Sequence, residues 1–316
     1  MVDSVAFARQ ARIHKRTCKL MGNMFSFSIV HDDEGWANHC IDKAVDEIKR
    51  VESLLTTFRE DSQTNRVNDA AGVTGVVVDR EVFELIRRSI RISQLTQGAF
   101  DITYGSVDKR LWNFDTGMTS LPDPAVAKRM VHLIDYKNIQ LNDADGSVFL
   151  KNKGMRIGFG GIGKGYAADR GKKILIDLGI ESGVVNASGD LVAWGTQIGG
   201  QPWTIGIADP DTRTPFTSLP LSGMAIATSG NYEKFAMVNG KRYSHTIDPK
   251  TGLPVTGIKS VSVISPMAEL SDALATPVMV MGVQAGLDMI NQVKGVACIL
   301  IDDRNRIFTS NNISLH

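Results

Sequence analysis

Three stretches of the sequence bring together residue types that can do chemistry: an anion cradle, a proton acceptor and a set of oxygen ligands for a metal. The first is residues 158–165 (GFGGIGKG). Its glycines let backbone N–H groups approach an anion closely, and Lys164 adds a cation. Gly158-x4-Gly163-Lys164 matches most of a phosphate-binding P-loop, but Gly165 stands where a Ser or Thr should hold magnesium. Residues 296–303 (VACILIDD) offer the apolar strand ending in Asp that P-loop enzymes also use. Three readings stay open here: a P-loop NTPase, a phosphate or pyrophosphate cradle of another kind, or glycines that only permit tight packing.

The second stretch is residues 243–252 (YSHTIDPKTG). His245 stands near the end of an expected hairpin and is followed by a DPxTG turn, a place at a rim rather than in a core. Imidazole is the side chain best suited to proton transfer near neutral pH. A lone histidine is also often structural, and its neighbours do not decide between the two. The third stretch is residues 271–277 (SDALATP). Asp272 and Thr276 are four apart, so a helix puts their oxygens on one face. Pro277 lacks the N–H that would bond the carbonyl of Ala273. Carboxylate, hydroxyl and underused carbonyls are hard oxygen ligands that suit magnesium. The plainer alternative is a helix-capping Asp above a buried Thr.

These residues need elements to hold them. Residues 1–16 are polar and basic without period and read as a loose arm, and 19–30 alternate as a strand. Asp33 and Glu34 look like a helix start. Trp36, Cys40, Ala44, Ile48, Val51 and Leu55 then recur at helical spacing, which predicts a long amphipathic helix over 34–57. Residues 58–68 (FREDSQTNRVN) are polar and read as a surface loop with a short turn. Val82, Phe83, Ile86, Ile90 and Leu95 mark a second helix closed by Gly98, followed by a loop-rich stretch that mixes aromatics with carboxylates. A third helix is expected over 124–134 and short strands around Ile139, Phe149 and Ile157. The glycine cluster opens a helix to about Leu178. Strands near 183–194 and 203–208 follow, then a hairpin about Asn239-Gly240, the strongest type I′ turn signal. A strand over 258–265, two helices within 268–294 and a strand over 296–301 complete the pattern. Helices and hairpins mix without regular βαβ alternation, which implies an α+β fold.

Composition bounds the function. The chain has 316 residues, 35 Lys+Arg against 34 Asp+Glu and a formal net charge of +1. Binding nucleic acid through bulk charge needs a basic surplus that is absent here. A hydrophobic fraction of 43% supports an ordinary core. No apolar run approaches the roughly 20 residues of a membrane-spanning helix; the longest, 274–283, contains a Pro and reads as buried helix. Cys18, Cys40 and Cys298 form no CxxC, which argues against a zinc knuckle or disulfide framework. Lys15, Arg16 and Thr17 precede Cys18 without an apolar leader, so a cytoplasmic protein is expected from the sequence as it stands; if a leader was removed, an exported and anchored one. The length suits an arm over 1–18 and one domain over 19–316, or two closely packed subdomains.

Taken together, ordered blocks from about residue 19 to 302 resemble the FAD:protein FMN transferase family, the ApbE type. They are Leu20-Met21-Gly22; 55–62 (LTTFREDS); 98–101 (GAFD) with Leu111-Trp112; 160–169 (GGIGKGYAAD); 186–190 (NASGD); 203–210 (WTIGIADP); 227–232 (ATSGNY); 244–252 (SHTIDPKTG); and 272–276 (DALAT). The resemblance implies an enzyme that binds FAD and Mg²⁺, transfers FMN to a Thr or Ser hydroxyl of an acceptor flavoprotein, and releases AMP. It implies that Met21, Phe58, Ala99, Phe100, Asp101, Lys164 and Ile247 contact the cofactor. Gly158 takes a further cofactor position, at which relatives commonly carry Asp. Phe58 replaces a frequent Tyr, keeping the stacking face and losing the hydroxyl. Gly161 (through its carbonyl), Asp272, Ala275 and Thr276 match magnesium ligands, and His245 matches the candidate proton acceptor. The alternatives that share this site are an FAD pyrophosphatase with water as acceptor and a non-catalytic FAD-binding protein.

Overall fold

The computed structural model describes residues 10–107, 120–208, 211–212, 214–230 and 235–313. Leu111-Trp112, Asp209-Pro210, Asn231-Tyr232 and the first nine residues of the expected arm lie outside them. The described chain opens with a hairpin: β1 (Arg12–Leu20) pairs with β2 (Asn23–His31), from Arg12 opposite His31 to Leu20 opposite Asn23. Residues 12–18 of the expected arm thus belong to β1, and the expected strand over 19–30 is the second of two. Lys15, Thr17 and Lys19 are the exposed half of β1, which is an edge strand where charge discourages further pairing. That charge hid the strand. The hairpin turns on Met21 and Gly22, both at positive φ (51° and 73°), as a two-residue type I′ turn requires.

Helix α1 (Glu34–Leu55) starts on Asp33, whose carboxylate accepts the Trp36 N–H at 2.8 Å. It buries Ala37, Cys40, Ile41, Ala44, Val45, Ile48, Val51 and Leu55, the expected stripe except for Trp36, which is exposed in the first turn. Residues 63–69, expected as loop, form α2 (Gln63–Asp69), capped by the Ser62 hydroxyl on the Asn65 N–H. Its polar residues are nonetheless buried: Asn68 donates to and accepts from the backbone of Ile157. Strand β3 (Val76–Val77) and α3 (Arg80–Leu95) follow, then a 3₁₀ turn (Ile102–Ser106) and α4 (Pro124–Met130). Strands β4 (Ile139–Asn142) and β5 (Ser147–Leu150) join β3 in a small sheet; no strand forms at Ile157.

Helix α5 (Gly163–Asp177) leads into β6 (Gly183–Ala187), β7 (Asp190–Trp194), β8 (Trp203–Ala208), β9 (Pro215–Leu221), β10 (Met224–Gly230), β11 (Phe235–Val238), β12 (Lys241–Ser244) and β13 (Ile258–Ser265). Helices α6 (Ala268–Met281) and α7 (Val283–Asn291) precede β14 (Ala297–Asp302) and β15 (Ile307–Thr309). The main sheet has eight antiparallel strands in the order β1-β2-β6-β7-β10-β13-β14-β15. Its two faces separate adjacent side chains: Val185 and Val263 belong to the core shared with α1, α5 and α6, whereas Val184 and Ile264 pack with Trp203, Ile207 and Leu221 of the β8–β9 hairpin. One helical layer, one sheet and one covering hairpin make the architecture α+β, as expected.

Candidate active site

A cavity of about 840 Å³ opens where the β1–β2 turn, the end of α1, residues 99–105, the glycine loop and residues 245–249 converge. Met21, Phe58, Ala99, Phe100, Asp101, Gly158, Gly161, Lys164, His245, Ile247 and Thr276 all line it. Of the residues expected to form the site, only Asp272 and Ala275 do not. Both are buried in α6 directly beside Thr276.

The glycine loop is not a P-loop. Residues 151–162, ahead of α5, form no strand, so the strand–loop–helix frame is missing. At Gly165 a Cβ would lie 2.1 Å from the Ala268 carbonyl oxygen and 2.8 Å from Asp272 Cβ. The hydroxyl residue that a P-loop needs cannot fit there. Close approach of α5 to α6 is the reason for this glycine, and it brings the Gly165 N–H to Asp272 Oδ2 at 3.0 Å. Asp302, at the end of the second apparent P-loop segment, instead accepts the N–H groups of Arg304 and Arg306 and pairs with the Arg306 guanidinium.

The Lys164 ammonium is half-buried and pairs with the Asp190 carboxylate, while Asp272 Oδ1 lies 3.9 Å from it. Burial pushes the Asp272 carboxyl above the ordinary carboxylate range, and the Lys164 ammonium with the N–H groups of Gly165 and Lys164 opposes that push. Thr276 Oγ1 is 3.1 Å from Ser229 Oγ of β10. Pro277 sits inside α6, so the buried carbonyl of Ala273 lacks its helix bond. Among the described residues no three His, Cys, Asp or Glu side chains cluster as a metal site. A cation beside Asp272 and Thr276 would have one carboxylate, one hydroxyl and backbone carbonyls. That set fits Mg²⁺, which takes few protein ligands and retains water or phosphate.

The other side of the cavity presents the rings of Phe58 and Phe100. Phe58 is 97% exposed at its edge, an aromatic face with room for a ring to stack. Asp101 lines the cavity, but its carboxylate is committed: Oδ1 accepts the Thr103 N–H (2.8 Å) and hydroxyl (2.6 Å), and Oδ2 the Tyr136 N–H (2.9 Å). Burial raises its pKa and those bonds oppose the rise. Its side chain braces the cavity wall.

His245 is exposed and follows β12 directly. Ser244, fully buried, accepts the Thr246 N–H at 3.0 Å. Asp248 Oδ1 accepts the Lys250 N–H and Oδ2 the Thr251 hydroxyl, closing the DPxTG turn. Gly252 completes it at φ +73°, where a Cβ would lie 2.3 Å from the Ala127 carbonyl oxygen of α4. The segment carrying His245 is thus pinned at both ends. Tyr104 adds a tie through a hydrogen bond to the Ile247 backbone, and burial pushes its phenol up to about 12.

Several lining residues were not foreseen: Asn23, Lys49, Glu52, Ser53, Arg59 and Tyr104. Lys49, Glu52 and Ser53 have i, i+3, i+4 spacing at the end of α1, a signal that can be read once the helix is placed.

Residues 21–300 match the family described as the ApbE family. The chain belongs to that family. A Klebsiella pneumoniae (strain 342) protein named FAD:protein FMN transferase is 32% identical over 302 residues, 95% of this chain and 92% of the relative. A Treponema pallidum (strain Nichols) protein of the same name is 31% identical over 282 residues, 84% and 78% of the two chains. The ApbE protein of Thermotoga maritima superposes at a TM-score of 0.85 with 28% identity, covering 95% of this chain and 97% of that one. The apo form of Pseudomonas stutzeri flavinyl transferase ApbE gives 0.84 at 25%, with 96% of each covered. The ApbE fold therefore extends over nearly the whole chain.

Proposed function

We propose that this chain transfers the FMN half of FAD to a Thr or Ser hydroxyl of an acceptor flavoprotein in a Mg²⁺-dependent reaction that releases AMP. The observation that carries the reading is the single cavity that brings Lys164, Thr276 and His245 together beside a free aromatic face at Phe58. Phe58, Met21 and Phe100 supply the apolar surface for the flavin or adenine ring. The open backbone at Gly158 and Gly160, where an added Cβ would meet nothing within 4 Å, leaves room for the pyrophosphate, and Lys164 supplies charge to hold it.

Asp272 and Thr276, with the carbonyls of Gly161 and Ala275, would hold the Mg²⁺. When bound, Mg²⁺ neutralises negative charge that develops on the phosphate oxygens. In the transfer, the acceptor oxygen bonds to the FMN phosphorus, and the bond from that phosphorus to the oxygen leaving with AMP breaks. His245 accepts the hydroxyl proton. Its exposure suits an acceptor that arrives as part of another protein.

The test is mass spectrometry of an acceptor flavoprotein after incubation with the chain, FAD and Mg²⁺. One FMN added per acceptor, with AMP formed in equal amount, is the expected result. AMP release at the same rate without acceptor would identify a hydrolase instead.

A further inference from the structure

Lys164 stands between two buried carboxylates, and the proposed reaction assigns a task to only one of them. Asp272 belongs to the metal ligands. Asp190, the first residue of β7, is 3% exposed. Among the described residues, the only ion pair or hydrogen bond of its carboxylate is with the Lys164 ammonium. That same nitrogen lies 3.9 Å from Asp272 Oδ1, and Asp272 Oδ2 is already engaged by the Gly165 N–H. The oxygen nearest the lysine is thus the Asp272 oxygen not held by Gly165.

An ammonium and a divalent cation beside the same carboxylate repel each other and compete for its lone pairs. Lys164 and Gly165 are adjacent in the first turn of α5, so the lysine cannot move far from Asp272. Something must keep its ammonium off that oxygen. Asp190 comes from a different layer, the central sheet, and is placed to do so. An ammonium has three donors, so one bond to Asp190 leaves others for a ligand in the cavity that Lys164 lines.

We infer that Asp190 is a positioning residue. It draws the Lys164 ammonium away from Asp272, leaving that carboxylate open to a divalent cation and the lysine directed at the cavity. The inference rests on the reading of the site as a Mg²⁺-dependent flavin transferase.

The test is a double-mutant cycle read by metal binding alone, without FAD or acceptor. Mn²⁺ serves as the probe, with free Mn²⁺ followed by electron paramagnetic resonance, and Mg²⁺ calorimetry repeats the series. Asp190→Asn should weaken Mn²⁺ binding by about ten- to a hundredfold, the scale of one misplaced charge-assisted hydrogen bond. In a Lys164→Gln background the same Asp190→Asn change should alter binding by less than about threefold, since no ammonium remains to be held. If Asp190 acted only through its charge or its packing, the loss would be equal in both backgrounds, and that result overturns the inference. Wild-type affinity in Asp190→Asn overturns it as well. If Asp190→Asn alone loses its circular-dichroism signature, Asp190→Glu is read in the same two backgrounds, with a smaller loss expected in the first only. A wild-type chain that binds neither metal, with or without FAD, defeats the metal reading of the site and this inference with it. A wild type that binds metal while the cycle is additive defeats only the role of Asp190.

Discussion

A base and a cavity wall respond differently to truncation, and His245 can be tested on that difference. Its imidazole is exposed at the end of a segment pinned by Ser244, the DPxTG turn and Tyr104, so His245→Ala should leave the segment in place. FAD affinity should stay near wild type, and FMN transfer should fall by about 10² to 10⁴. Single-turnover transfer at saturating FAD, with calorimetry for FAD, checks both. A variant that fails to bind FAD would make His245 a wall. Gly165 has the opposite character, since its role is space. Gly165→Ala puts a methyl 2.1 Å from a carbonyl oxygen and should cost at least about 1–3 kcal/mol in urea unfolding. A fully stable Gly165→Ala would mean that α5 and α6 are not so close. Neither role follows from residue type alone. The glycine cluster is visible in the sequence, but the Ala268 carbonyl packed against Gly165, which separates it from a P-loop, is not. The commitment of Asp101 to Thr103 and Tyr136 was equally invisible, because Tyr136 lies 35 residues away.

At the scale of elements, α6 begins without a cap of its own: Met267 offers no side-chain acceptor. Asp169 of α5 supplies one from 99 residues away, with Oδ1 accepting the Ala268 N–H at 3.1 Å and Oδ2 the Glu269 N–H at 2.9 Å. Burial pushes its pKa from 3.8 up to about 6, against the pull of those N–H groups. The folded state therefore binds this proton more tightly than the unfolded chain. Its contribution to stability is greatest below about pH 4 and is lost as pH rises through about 6. Wild type should lose up to about 3 kcal/mol relative to Asp169→Asn between pH 4 and pH 7, on top of a constant offset for the altered cap. Urea titrations of both proteins across that range measure the slope, and a flat difference would show that Asp169 is not desolvated as the structure has it. Such a cap leaves no local signal, which is why it could not be read beforehand. Long periodic elements could: α1, α3, α5 and β13 lie where the spacing of apolar residues put them. The failures are β1, whose edge position favours charge, and α2, whose buried residues are polar. Strands β3, β9, β10 and β15 have no expected counterpart either.

The whole molecule assembles its cavity from segments far apart in sequence: residues 21–23, 49–59, 99–105, 158–164, 245–249 and 276. No fragment carries the site, so a ligand that fills it binds only the folded chain and must stabilise all of it. A ligand at a hundred times its Kd adds about 2.7 kcal/mol. At this length each kcal/mol moves Tm by about 1–2 °C, so FAD with Mg²⁺ should raise Tm by about 4 °C. The two partners can be separated. Asp272→Ala removes the only carboxylate among the proposed metal ligands, so the increment that Mg²⁺ adds to the FAD shift should vanish while the shift from FAD alone persists. Phe58→Ala should do the reverse: its ring is 97% exposed and supports no core, so the unliganded Tm should stay within about 1 °C of wild type while the FAD shift shrinks. Scanning calorimetry of the three proteins, each with no ligand, FAD, Mg²⁺ or both, reads every one of these shifts. If Phe58→Ala left the FAD shift intact, the ring at the cavity mouth would have no part in holding the cofactor. If Asp272→Ala kept its Mg²⁺ increment, the cation would bind elsewhere, through the phosphates alone.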